Sequence, residues 1–127
     1  MSSGTWAVGG NLVVGSSGTG TLTMSGGLVT VGGTLSKGTY GTINLNSGGT
    51  LQIGTGGTTG VLATNLTNNG TLLFSRSNTS TYSGILSGSG AISKEGAGTL
   101  TFSGPNTLTG PTTIQQGTVQ LADSSAL

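Results

Sequence analysis

The chain is 127 residues long, with 27 glycines, 31% hydrophobic residues, no cysteine and no histidine. Lys and Arg number three against two Asp and Glu, a net charge of +1, so the chain lacks the dense positive field that recruits nucleic acid or an anionic membrane. The length suits one domain able to bury a core, and without cysteine no disulfide framework can hold it.

In chain order, residues 5–15 offer a first apolar stretch, Trp6-Ala7-Val8 and Leu12-Val13-Val14. A turn over 15–20 leads to strands at 21–24 and 28–31, parted by Gly26-Gly27. Residues 32–41 read as a longer connection carrying Lys37 and Tyr40. Strands at 42–45 and 50–53 repeat the earlier pair. The segment 54–60, nearly all Gly and Thr, is the weakest link in the pattern, and Asn68-Asn69-Gly70 signals a turn. Leu72, Phe74, Ile85, Leu86, Ile92, Leu100 and Phe102 follow as inward positions, and Val119 and Leu121 alternate with Thr118 and Gln120. Strict alternation puts one face of a strand in a core and the other toward water. No segment carries apolar residues at helical spacing, so no helix longer than one turn is expected. No apolar run approaches the ~20 residues of a membrane helix. The start, Met1-Ser2-Ser3-Gly4-Thr5, has neither the basic residues nor the apolar run of a signal peptide and reads as a cut inside a longer chain. The end stops without a cap.

The pieces recur. Leu22 and Met24 precede Ile43 and Leu45 at an offset of 21, and Val29 and Val31 precede Leu51 and Ile53 at an offset of 22. Further on, residues 70–75 reappear as 98–103, an offset of 28, and Tyr82-Ser83-Gly84 answers Leu108-Thr109-Gly110, an offset of 26. The composition alone would fit low-complexity disorder, but a period with alternation inside it, and so little charge, argues for order. Such self-similarity without a helix signal marks a β-solenoid. The reading is a single all-β segment over 1–127, with coils of about 21–22 residues over 1–62 and repeats of about 26–28 over 63–127. Apolar residues stack inward coil on coil, Thr suits the outer face, and Gly supplies positive φ at corners. With strands ~4.8 Å apart, roughly five coils make a rod about 25 Å long.

From residue 69 to 121 the order of the pieces is specific. Ser87-Gly88-Ser89-Gly90-Ala91-Ile92-Ser93-Lys94 is followed by Gly96-Ala97-Gly98-Thr99-Leu100-Thr101-Phe102. Then come Asn106-Thr107-Leu108-Thr109-Gly110, Thr112-Thr113-Ile114 and Gly117-Thr118-Val119-Gln120-Leu121. This stretch resembles the autotransporter-associated β-strand repeat, or passenger-associated transport repeat. It departs from the family's usual Tyr at Leu108 and small residue at Pro111. Residues 9–60 are similar to the looser Gly/Thr-rich coils of such passengers. The resemblance implies a right-handed parallel β-helix in a large secreted Gram-negative surface protein, hence an extracellular or outer-membrane-surface location. It also implies a repeat that helps the passenger cross the outer membrane and fold outside, with no catalytic residue to carry over.

A search for chemistry points the same way. Without His or Cys no Ser-His-Asp, Cys-His or His-based metal site can form within the chain. Glu95 and Asp123, the two carboxylates, would have to face one cleft to act as a glycosidase pair, and they read instead as solvated turn charges. The Gly-rich turns lack the Lys and helix of a phosphate loop and the Asp of calcium-binding coils. Asn65, Asn69 and Asn78 begin glycosylation sequons that chance supplies in so Asn- and Thr-rich a chain. Of the aromatics Trp6, Tyr40, Phe74, Tyr82 and Phe102, the pair Phe74 and Phe102 sit at matching inward positions and read as core stacking. Thr21/Thr23 and Thr99/Thr101 would suit a regular binding face only if every coil kept the pair, and Thr42/Asn44 breaks it. No catalytic, cofactor-binding or metal residue is therefore assigned, and no cofactor, nucleic acid or small-molecule substrate is expected. The expected partners are neighbouring coils of the same or a longer chain. The expected function is a non-catalytic structural segment of a passenger stalk. The alternative is a self-assembling or adhesive fibre subunit stacking end to end.

Overall fold

Runs in which apolar residues alternate with Thr, Ser or Asn form strands, and the glycine-rich pieces between them form corners. The structure is a computed structural model and describes residues 1–122. No helix occurs among the described residues.

The strands fall into coils. The first coil holds β1 (Thr5–Val8), β2 (Leu12–Val14) and β3 (Gly20–Met24). The second holds β4 (Leu28–Val31), β5 (Thr34–Lys37) and β6 (Gly41–Leu45), and the third β7 (Thr50–Ile53), β8 (Val61–Leu62) and β9 (Leu66–Thr67). The fourth holds β10 (Thr71–Ser75), β11 (Ser80–Tyr82) and β12 (Leu86–Ser87). β13 (Ala91–Glu95) and β14 (Thr99–Phe102) form the fifth, β15 (Thr112–Ile114) and β16 (Thr118–Leu121) the sixth. One parallel sheet runs β1-β4-β7-β10-β13-β15 through all six rungs. The other faces are shorter sheets, β2-β5-β8 and β11-β14-β16 on one side, β3-β6 and β9-β12 on the other. The architecture is a β-solenoid of six turns, one more than the sequence estimate.

The continuous sheet supplies two inward columns. One is Trp6, Val29, Leu51, Leu72, Ile92, Thr112 and the other Val8, Val31, Ile53, Phe74, Lys94, Ile114, of which Trp6, Thr112 and Ile114 on the end rungs are exposed. Val29, Val31, Leu51 and Leu72 are 0% exposed. Fully burying such a side chain stabilises by about 1.5–3 kcal/mol, and stacking like on like repeats that gain at each rung.

Five expectations change. First, the longer repeat read past residue 63 does not set the coils there: Leu72 pairs with Ile92 and Ile92 with Thr112, steps of 20. Second, the similar pieces at 70–75 and 98–103 lie in different sheets, β10 and β14, and Tyr82 pairs with Phe102 rather than with Leu108. Self-similarity reports which residues want a Gly-corner followed by an alternating strand. Two faces of one coil meet that need equally. The one long step, from Leu35 to Leu62, arises because 54–60 is inserted between β7 and β8. Third, residues 32–41 are not all connection, since β5 places Leu35 in the core at 0% exposed. Fourth, Ile85 is 41% exposed and Leu121 46%. Ile85 lies one residue before β12, where Leu86 takes the inward place, and Leu121 lies on the outermost rung of its sheet.

Fifth, many corner glycines are needed for room rather than for positive φ. A Cβ on Gly70 would come 2.4 Å from Gly49 O, one on Gly90 2.4 Å from Gly70 O, and one on Gly110 1.9 Å from Gly90 O. This column stacks so tightly because each carbonyl serves the next coil. Thr50 N donates to Gly27 O, Thr71 N to Gly49 O and Ala91 N to Gly70 O, at 2.9 to 3.0 Å. Pro111, next in the series, has no N–H to continue it.

Asparagines hold other corners. Asn11 Oδ1 accepts from Thr34 N, Asn65 Oδ1 from Ile85 N and Asn69 Oδ1 from Ser89 N, each one coil along. Asn106 Oδ1 reaches back one coil to accept from Leu86 N at 2.7 Å. Asn68, 0% exposed, donates to Ala91 O and accepts from Gly70 N. A buried amide so satisfied costs little, whereas an orphaned one is expensive.

Candidate functional site

The residues weighed for chemistry scatter across the coils. Glu95 ends β13 at the rim, and Asp123 lies outside the described residues. The three sequon asparagines are engaged locally. Asn65 and Asn69 cap the next coil, and Asn78 Oδ1 accepts from Arg76 Nε at 3.0 Å. Thr101 stacks between Thr81 and Gln120, and Thr23 Oγ1 accepts from Asn44 Nδ2, so each threonine ladder meets an amide within a coil or two.

Phe74 and Phe102 do share the core, but not as equivalents. They come from different sheets and meet across the interior edge-to-face, with ring centroids 6.0 Å apart. Tyr82 completes the cluster at 6.3 Å from Phe74 and 6.2 Å from Phe102. Its hydroxyl donates to Thr64 O at 2.8 Å, bridging to the third coil where β8 and β11 form no ladder. Burial pushes the Tyr82 hydroxyl well above the ordinary phenol range.

Lys94 was not singled out from the sequence, although its strand foretold its place. In β13 Ile92 points inward, so period two turns Lys94 inward as well. The residue is 2% exposed and stacks in the column after Phe74. Its stem lies in the core while its ammonium reaches the turn that follows. Nζ donates to Glu95 O at 2.9 Å and Gly96 O at 2.7 Å, with Gln116 O at 3.5 Å. Gly117, with φ +78, roofs this cage, and a Cβ there would meet Nζ at 2.8 Å. Burial lowers the Lys94 pKa.

Arg76 acts likewise on the insertion at 54–60. Nη1 donates to Gly60 O and Nη2 to Thr58 O, both at 2.9 Å. Two of the three cations thus hold backbone carbonyls. Lys37, at the end of β5, is exposed.

A cleft of about 380 Å³ opens beside it, on the face where the sheets change. β6 pairs along its whole length with β3, but toward the third coil it keeps one bridge, Leu45 to Asn68. The cleft's lining includes Lys37, Asn44 and Asn65, with Ile85 of the fourth coil exposed, whereas Ile43 and Leu66 are buried in the core.

Residues 92–121 match the passenger-associated-transport-repeat family. The match takes in Lys94, β14, β15 and β16, from the second residue of β13 onward. Together with the β-solenoid it fits a fragment of an autotransporter passenger repeat. No curated protein and no solved structure matches the chain.

Proposed function

We propose that this autotransporter-type repeat segment is a structural length of a passenger stalk at the bacterial surface, whose coils stack during secretion and help the passenger fold outside the cell. The observation that carries the reading is the six-rung parallel sheet, whose inward columns are apolar from Val29 and Val31 to Ile92 except at Lys94. Each rung presents a strand edge and an apolar column on which the next coil forms. Coils leaving a membrane pore one at a time can therefore fold in order, without long-range contacts still to come. The family supports an extracellular or surface location.

The test uses a passenger that carries this chain. Deleting residues 72–91 removes one full step and joins Thr71 to Ile92 in register. Deleting half as many residues from within that step puts the next strand on the wrong face. Surface display, read by protease shaving of intact cells, should survive the first deletion and collapse with the second. Equal display of both would sink the proposal.

A second reading, end-to-end assembly into a fibre, draws on the scarcity of charge. Charged residues make up 4% of the chain, and the buried Lys94 adds little to what the surface can use against association. Negative-stain electron microscopy over a concentration series separates the two. Unbranched filaments favour the fibre, and separate short particles favour the stalk.

A further inference from the structure

We propose that the groove along the corner after the continuous sheet, from the insertion at 54–60 to Gln116, binds a neutral saccharide, with Glu95 and Ser75 as its central contacts. The groove holds about 550 Å³ and crosses four coils. Gly56 lines it from the third, Ser75 and Ser77 from the fourth, Glu95 from the fifth, Gln115 and Gln116 from the sixth.

The strand pleat sets the side chains. In β10 Leu72 and Phe74 are buried inward, so Ser75 turns outward, and in β13 Glu95 turns outward after Lys94. Ser75 pairs with Glu95 in register, and Gln115 follows Ile114, the partner of Lys94. A hydroxyl, a carboxylate and a carboxamide thus start from one outward column, about 4.8 Å apart.

Ser75 is outward yet only 7% exposed, because the insertion folds over it. Gly56 N donates to Ser75 O at 3.0 Å, and a Cβ on Gly56 would stand 3.9 Å from Ser75 Oγ. The Ser75 hydroxyl nonetheless has no hydrogen-bond partner among the described residues, and it lines the groove. A buried hydroxyl is normally paired, so this one marks a place for an incoming polar atom. The Glu95 carboxylate beside it also makes no hydrogen bond or ion pair among the described residues.

The lining selects the class of ligand. Arg76 and Lys94, the cations nearest in sequence, are held by backbone carbonyls, so no free cation draws an anion. A divalent cation wants several oxygen ligands that include carboxylates, and the described residues hold no cluster of three acidic or metal-binding side chains. The named side chains carry no large apolar group for a greasy ligand. An uncharged polyol fits what remains. The carboxylate accepts from two hydroxyls, the Ser75 hydroxyl donates or accepts, and the carboxamides do both. The volume lies within the ~300–1,000 Å³ of small-ligand sites. One carboxylate among the described residues serves binding, since glycoside hydrolysis needs a pair.

The experiment titrates the full chain with the methyl glycosides of glucose, galactose and mannose, followed by amide chemical shifts. At least one should shift residues 75–77, 95–97 and 115–116, with a millimolar Kd because no aromatic ring lines the groove. Glycerol at equal hydroxyl concentration should leave them unmoved. Glu95→Gln should weaken binding about fivefold, the gap between charge-assisted and neutral hydrogen bonds, and Ser75→Ala about threefold or more. Neither side chain bonds to the protein, so both variants keep the fold. No shift at the highest soluble glycoside, equal shifts with glycerol, shifts that calcium chloride gives and glycosides do not, or undiminished binding by Glu95→Gln would each overturn the proposal.

Discussion

Lys94 offers the sharpest test of what a buried cation contributes to this fold. Lys94→Met keeps most of the stem and removes the ammonium, while Lys94→Ala removes both. Two charge-assisted bonds, to Glu95 O and Gly96 O, are lost either way. Each is worth about 1.5–3 kcal/mol, but enclosing an ammonium costs several kcal/mol, so the two nearly offset. Lys94→Met leaves Glu95 O and Gly96 O without their donor, at about 1–3 kcal/mol, but also removes the cost of enclosing an ammonium, so stability at pH 7 should change by no more than about 1 kcal/mol. Lys94→Ala deletes three further methylenes, at about 0.8 kcal/mol each, and leaves a void beside Phe74, for a loss of roughly 3 kcal/mol. The pH dependence gives a second reading. Because the folded pKa lies below the ordinary 10.5, the unfolded chain holds a proton that the folded chain has lost in the window between the two values. Stability from this group therefore rises with pH through that window, and the rise should vanish in Lys94→Met. Urea unfolding followed by circular dichroism, at constant m, measures both. Equal losses for Met and Ala, or a Met variant weaker by more than about 3 kcal/mol, would show that the carbonyl cage and not the stem sets the stability.

Other expectations follow from single side chains. Tyr82 has the opposite sign: its raised pKa keeps the folded chain protonated above the ordinary 10.0, so stability falls as pH climbs past that value, and Tyr82→Phe should flatten the fall in the same urea assay. Phe102→Ala empties the centre of the aromatic cluster and should cost about 3–5 kcal/mol, against under about 0.5 kcal/mol for the outward Thr101→Ala. Gly70→Ala drives a Cβ against Gly49 O at 2.4 Å and Asn46 O at 2.5 Å, and should lower stability by about 1–3 kcal/mol. Gly57→Ala, with nothing within 4 Å, should be silent. Arg76→Ala frees Thr58 O and Gly60 O, so hydrogen exchange and proteolysis should quicken within 54–60 while the sheet stays protected.

Much of the fold was legible because its causes are local. Val29, Val31, Leu51 and Ile53 alternate with Thr30 and Gln52, and that period of two holds wherever a strand has one dry face. Glycines between such runs mark corners, and the step from Val29 to Leu51 is both a sequence interval and a rung. The order of pieces from Ser87 to Leu121 pointed to the repeat family that residues 92–121 match. Lys94 was legible too, since Ile92 two positions before it fixes its direction, but a charge at an inward place reads as an error until its carbonyls are seen.

The sequence by itself determined that the chain is all β, that coils of its first half recur at the spacing from Val29 to Leu51, and which residue types face inward. These follow from side-chain polarity and from the two-residue pleat, which need no knowledge of neighbours. Only the tertiary structure decided which strand lies on which. Residues 70–75 and 98–103 look alike and occupy different sheets, because similar faces of one prism call for similar sequences. It alone decided that the column Gly49, Gly70, Gly90 is required by a carbonyl one coil back, and that β6 keeps one bridge, Leu45 to Asn68, toward the third coil. Each of these is a contact from one coil to the next, set by how coils of unequal length stack rather than by anything the chain states locally.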